Sequence, residues 1–319
     1  NTEYFMVEKA MNVPHTICGH KRQLLALRKI AERGMPIHAF LFSGPEGVGK
    51  RTIATHFLAG LFCDERKNDA GSPACLSCPS CIQVGELRHP DFHFISDRDS
   101  KGIGIAEIRQ LKERLSLRAW AGSWRGVLID DAERMTPEAQ SALLKILEEP
   151  SQGILFFLVT SEPHLLLDTI RSRAVPISFG TVRDEELVSW LSIYFPEINS
   201  AELLQFADGR PGEAKRFAED RELFAAHQKM TAKADALADG SLLDQFRFTD
   251  SLVEKGSAQP GEFLGRLISI TRDSLIKSPD SAGLMARMKT LLDLHFELAR
   301  ASANRRLLID SAFIALKEI

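Results

Sequence analysis

The stretch GPEGVGKRT, residues 44 to 52, lies between an apolar run, HAFLFS, and a helix-like run, IATHFLAGLF. No other feature constrains the fold as strongly, because a glycine-rich turn between a buried strand and a helix aims backbone N–H groups at an anion. In such a loop Gly44, Gly47 and Gly49 let the backbone curl around phosphate and Lys50 reaches the terminal phosphates. The next residue should supply a hydroxyl for magnesium, and here it is Arg51. Thr52 comes one position late, about 100° further round a helix, and is a poor substitute. The second half of such a site is GVLIDDAERM, an apolar strand ending in Asp130, an acid suited to coordinating magnesium. Asp131 follows where a glutamate would position the attacking water, and it is one methylene shorter. A misplacement near 1 Å costs on the order of a hundredfold in rate. The residues predict the shape of a nucleotide site without its hydrolysis, and they leave open whether ATP and magnesium bind.

Around these motifs AFLFSG, FHFIS, GVLIDD and ILFFLVT read as buried strands separated by helical stretches, from about residue 12 to 180. That alternation predicts an α/β domain whose parallel sheet is covered on both faces. After RSRAVPISFG the strand signal stops, and RDEELVSWLSIYF and NSAELLQFADGRPGEAKRFAED read as short helices broken at Pro196 and at GRPG. From about residue 221 the chain reads as amphipathic helices, among them SLLDQFRFTDSLVEK, GEFLGRLISITRDSLIK, GLMARMKTLLDLHFELARA and NRRLLIDSAFIALKEI. A chain of 319 residues with 44% hydrophobic positions should form two or three domains. A net charge of −3 argues against a surface wholly devoted to nucleic acid. Neither a membrane span nor a secretory leader is indicated, so a cytoplasmic location is expected. Asn1 is no initiator residue, which leaves the source of NTEYFM open.

Cys63, Cys75, Cys78 and Cys81 form C-x11-C-x2-C-x2-C in a Pro/Ser-rich loop. Four thiolates with no open position match the closed tetrahedral pattern of structural zinc, so the expected role is stability. Cys18 is expected to be a core thiol, and His89 of HPDFHFI to be structural rather than a ligand.

Taken in order, ICGH, GPEGVGK, the four-cysteine insertion, HPDFHFI, IDDAERM, SALLKILEEP, LVTSEPHLLLDTIRSR and GRPGEA resemble the clamp-loader branch of the AAA+ proteins over most of residues 12 to 220. The resemblance implies an AAA+ P-loop domain over 12–180 with a zinc module at about 63–81, a small helical lid over 181–220 and a helical collar for oligomerisation over 221–319. It implies that Thr160, with Ser161, stands where that family senses the terminal phosphate. Ser172 and Arg173 match the serine and arginine of the family's Ser-Arg-Cys motif, with Ala174 in place of the cysteine. Arg173 is thereby implied to be a catalytic arginine finger acting in trans on a neighbouring subunit's ATP, a role that can be worth three or more powers of ten in rate. The family's ATP-hydrolysing members carry a hydroxyl, a glutamate and an arginine where this chain has Arg51, Asp131 and Glu213. Lys145, on the polar face of SALLKILEEP, is implied to lie near DNA phosphate.

The implied function is a subunit of the clamp loader of bacterial DNA polymerase III that does not itself hydrolyse ATP. Its partners would be gamma/tau-like and delta-like subunits in a hetero-oligomer, the sliding clamp, and primed DNA reached through the assembled complex. The alternative is that this chain is the hydrolysing gamma/tau-like subunit, with Lys50 and Asp130 sufficient for slow turnover. A zinc-containing DNA-binding module is a weaker reading, since only Arg66, Lys67 and Arg88 lie near the cysteines.

Overall fold

The structure is a computed structural model that describes residues 17–34, 37–66, 74–97, 101–117, 119–120, 124–150, 152–238, 241–254, 259–298 and 304–317. NTEYFM, Lys67 and the expected domain start at residue 12 lie outside the described residues. The chain divides into two compact units, residues 1–218 and 219–319.

In the first unit β1 (Ala39–Ser43), β2 (Phe92–Ile95), β3 (Arg125–Ile129), β4 (Ile154–Thr160) and β5 (Val175–Ser178) form one parallel sheet in the order β2-β3-β4-β1-β5. The central strands β1 and β4 are almost wholly apolar because both of their faces are covered. Alternate residues go to opposite faces, as strand geometry requires. Phe40, Phe42, Leu128, Leu155 and Phe157 pack on one side with Ile53, Ala54 and Leu58 of α2 (Lys50–Phe62). Leu41, Val127, Ile129, Phe156 and Leu158 pack on the other with α4 (Ile105–Ser116) and α5 (Pro137–Glu148). Phe40 and Phe157 stack at 5.2 Å. Full burial of such a ring contributes about 1.5–3 kcal/mol, so this cluster is a principal anchor of the sheet.

The strand β5 is not among those the sequence marks. It sits at the sheet edge and contains Pro176, whose missing N–H weakens the strand signal and is tolerated where only one neighbour must be paired. Helix α1 (Lys21–Glu32) precedes β1, and α3 (Pro79–Gly85) lies within the cysteine segment. After α6 (Asp168–Arg171) and β5 come α7 (Asp184–Tyr194), α8 (Ser200–Ala207) and α9 (Pro211–Glu219). The break between α8 and α9 is made by Asp208 and Gly209, both with positive φ.

The second unit is helical among its described residues: α10 (Arg221–Ala238), α11 (Leu242–Glu254), α12 (Gln259–Lys277), α13 (Ala282–Leu298) and α14 (Arg305–Lys317). Its core gathers Phe248, Phe263, Leu267, Leu291, Ile309 and Phe313. No described helix of either unit is long and apolar enough to cross a membrane.

Candidate nucleotide site and cysteine cluster

The sheet brings the motif residues together at the C-terminal ends of its strands, where ligands bind in open α/β sheets. Ser43, the last residue of β1, pairs with Thr160, the last of β4, and β3 ends beside β4 so that Asp130 follows directly. The loop leaves β1 with Gly44, Gly47 and Gly49 at φ 143°, 77° and 102°, values that residues with side chains rarely adopt. Lys50 opens α2 and is buried, its Nζ donating to the carbonyls of Gly44 (2.6 Å) and Pro45 (2.7 Å).

Arg51 Nη1 donates to Asp130 Oδ2 at 3.2 Å, so the guanidinium rests on the carboxylate that would hold a metal. Burial pushes the Asp130 carboxyl above its ordinary range, and Arg51 pulls against that shift. Partial loss of solvent around its carboxyl, followed by the charges of Asp130, Glu133 and Glu46, pushes Asp131 up to about 6. Asp131 is exposed and left-handed, with φ 53°. Burial lowers the Lys50 ammonium, opposed by Glu133, Asp130, Glu46 and Asp131.

Thr160 is buried, and its Oγ1 accepts from the Glu162 N–H at 3.0 Å. Ser161 donates both its N–H (3.0 Å) and its hydroxyl (2.5 Å) to Glu133 Oε1. Burial works to raise the Glu133 carboxyl, but the bonds from Ser161 and Thr160 outweigh it and hold it below its ordinary value. The sequence gives no sign of this partnership, because an acid two residues beyond a strand-end motif looks like surface. The start of α9 closes over the loop, with the Gly212 N–H donating to the Gly47 carbonyl at 2.7 Å. A β-carbon added at Gly212 would lie 2.8 Å from that same oxygen, so only glycine permits the approach. Glu213 reaches the loop with it: a β-carbon at Gly47 would sit 3.4 Å from Glu213 Cγ, and the Glu213 carboxylate pairs with Arg216 at 2.9 Å. From the other side His20 Nε2 bonds the Val48 carbonyl at 2.8 Å, which ties ICGH to the loop.

Arg173 lies elsewhere. Val175 pairs with Phe40 in parallel register, so Arg173, two residues earlier, sits toward the opposite end of the sheet from the loop that follows Ser43. The three residue steps from Phe40 to Ser43 alone span about 10 Å. Arg173 Nη2 pairs with Glu148 Oε1 at 2.9 Å, Nη1 donates to the Thr169 carbonyl at 3.0 Å, and the side chain is 35% exposed. The turn leading to it is held by Gln140, a buried amide that accepts from Leu167 N–H (2.8 Å) and donates to the Leu165 carbonyl (3.2 Å). A lone glutamine on an apolar helix face was the available signal for that role. Lys145 is exposed and lines a groove of about 470 Å³ with Arg109, Lys112 and Ser141, between α4 and α5.

The Sγ atoms of Cys63, Cys75, Cys78 and Cys81 all lie within 4.8 Å of one another, with Cys75 and Cys81 3.9 Å apart. Tetrahedral coordination with bonds of about 2.3 Å separates sulfurs by about 3.8 Å, so the four residues fit a metal ion such as zinc. The N–H groups of Cys78 and Cys81 donate to the sulfurs of Cys75 (3.3 Å) and Cys78 (3.5 Å), contacts that favour thiolates over the weakly accepting thiols. Hydrogen bonds from Ser77 pull Cys75 down to about 6, whereas burial pushes Cys63 and Cys81 up, a cost that a bound cation offsets. His89 is buried, stacks on Phe62 at 4.5 Å, and uses Nδ1 to accept the Asp91 N–H. Cys18 is buried and donates to the Glu186 carbonyl.

A glycine-rich loop leaving a central parallel strand, with Asp130 and Thr160 at the ends of β3 and β4, defines the nucleotide-site fold of P-loop proteins. A model of the family described as DNA polymerase III, delta subunit, matches residues 19–183, about half of the chain, and the chain belongs to that family. It is 33% identical over 192 residues to DNA polymerase III subunit delta' of Pseudomonas aeruginosa, covering 59% of this chain and 58% of that one. It is 32% identical over 166 residues to the Bacillus subtilis subunit of the same name, covering 52% and 49%. The chain spans about half the length of the curated relatives it matches. A DNA polymerase III gamma subunit-related protein from Thermotoga maritima superposes with a TM-score of 0.49 at 20% identity, over 93% of this chain and 99% of that one.

Proposed function

We propose that this chain is a delta-prime-type subunit of a bacterial clamp loader, with an AAA+ domain carrying a zinc module, a helical lid and a helical collar. It does not hydrolyse ATP; it joins gamma/tau-like and delta-like subunits, completes a neighbour's ATP site with Arg173, and helps place the sliding clamp on primed DNA. The observation that carries this reading is the separation of Arg173 from the chain's own loop: its guanidinium, 35% exposed and held by Glu148, lies too far from that loop to serve it. Arg51 on Asp130, Asp131 in place of glutamate and Glu213 beside Gly47 all work against hydrolysis at the chain's own site. Zinc at the four cysteines would be structural, since four protein sulfurs leave no open position. Arg109, Lys112 and Lys145 are a group of cations suited to the DNA backbone.

The test is steady-state ATPase of the chain alone and in the assembled loader with clamp and primed DNA. The expected result is silence alone, turnover in the assembly, and a loss of about three orders of magnitude with Arg173→Ala. Robust turnover by the chain alone, abolished by Lys50→Ala and indifferent to Arg173, would instead establish the hydrolysing-subunit reading.

A further inference from the structure

A magnesium ion belongs to the nucleotide site that this fold builds, and the residues present do not fit one. Magnesium needs near-octahedral oxygen ligation at about 2.0–2.1 Å, with the loop hydroxyl and the strand-end acid as its usual protein-derived anchors. The hydroxyl is missing because Arg51 follows Lys50. The acid is taken: the Arg51 guanidinium lies 3.2 Å from Asp130 Oδ2, and the Asp130 side chain is only 12% exposed. An arginine does not deprotonate in proteins, so this cation is permanent, and a metal must break a charge-assisted bond to enter. Two of the nearby acids are already engaged and a third is turned out in a strained loop. Glu133 is bound by Ser161 and Glu213 is paired with Arg216, while Asp131 is exposed in a left-handed turn.

We propose that Arg51 is a tethered cation standing in the magnesium position, which makes the nucleotide affinity of this loop independent of divalent metal. The inference rests on the nucleotide-site part of the reading above and not on Arg173. Without a metal to offset phosphate charge, Glu46, Asp131 and Glu133 lie near Lys50 and reduce the positive field that Lys50 and Arg51 offer, so wild-type affinity is weak for a triphosphate. The block is local. Arg51 is 61% exposed and sits on the first turn of α2, so Arg51→Thr restores the hydroxyl and frees Asp130 without disturbing the core.

The experiment titrates the full chain with a fluorescent ADP and a fluorescent non-hydrolysable ATP analogue, with magnesium present or omitted; chelators are avoided because they would also attack the cysteine cluster. Wild type and Arg51→Lys should give signals that agree within about twofold in the two conditions, whereas Arg51→Thr should bind about tenfold or more tightly with magnesium than without. Manganese paramagnetic resonance with nucleotide present should find a bound ion in Arg51→Thr and none in wild type. Magnesium-dependent binding or a bound manganese ion in wild type overturns the proposal, as does a folded Arg51→Thr chain insensitive to magnesium. If Arg51→Thr does not fold, the wild-type manganese signal decides. The Arg173→Ala assay reads a neighbour's turnover, so the two proposals fail separately.

Discussion

Six residues past Lys50 on α2, His56 is buried with neither ring nitrogen hydrogen-bonded. Burial lowers its pKa from 6.5 to about 4. The folded ring therefore resists a proton that the unfolded chain accepts, so the stability it permits is complete above about 6.5 and is lost as pH falls toward 4. By linkage the loss reaches about 3 kcal/mol. His56→Leu should flatten that acid dependence and leave stability at pH 7 unchanged or higher by about 1 kcal/mol, because two unsatisfied polar atoms are removed. Urea unfolding at pH 7 and pH 5 checks this; an unchanged difference between the two pH values would mean that another group is responsible. At this scale the loop residues and the strand-end acid are legible in the sequence because their chemistry is tied to fixed spacing. His56 and Gln140 are not, since what matters for each is what surrounds it.

The cysteine segment is an element that staples the end of α2. Cys63 follows the last residue of that helix, Cys81 opens toward the Ala59 carbonyl at 3.6 Å, and Cys78 caps α3. Cys78→Ser should reduce zinc content from about one equivalent to near none by mass spectrometry and lower the thermal midpoint, while Arg51→Thr should leave the zinc content unchanged. Equal midpoints with and without metal would remove the structural role. The cysteine spacing makes this element legible without coordinates, because metal geometry acts on close neighbours in the chain. The strand β5 was hidden by Pro176, and only its pairing with β1 makes it a strand.

Each of the two units has its own apolar core, the first on both faces of the sheet and the second around Phe263 and Phe313. Units with separate cores unfold with separate cooperativity. Calorimetry of the full chain should resolve two components, and removing the metal should lower the one belonging to residues 1–218 and leave the other within about 2 °C. A single transition that shifts as a whole on metal removal would show that the units unfold together.

The sequence by itself determined the α/β pattern of the first unit, the helical character of the second, the phosphate loop, and a cysteine set fit for a metal, because each depends on residues close together in the chain. Tertiary structure decided which charges meet. Arg51 and Asp130 are brought into contact by the sheet order, as are Glu133 and Ser161, and parallel pairing of β5 with β1 sets Arg173 apart from its own loop. The physical reason is that an ion pair across 79 positions leaves no periodicity to read, whereas a buried strand or a run of cysteines does.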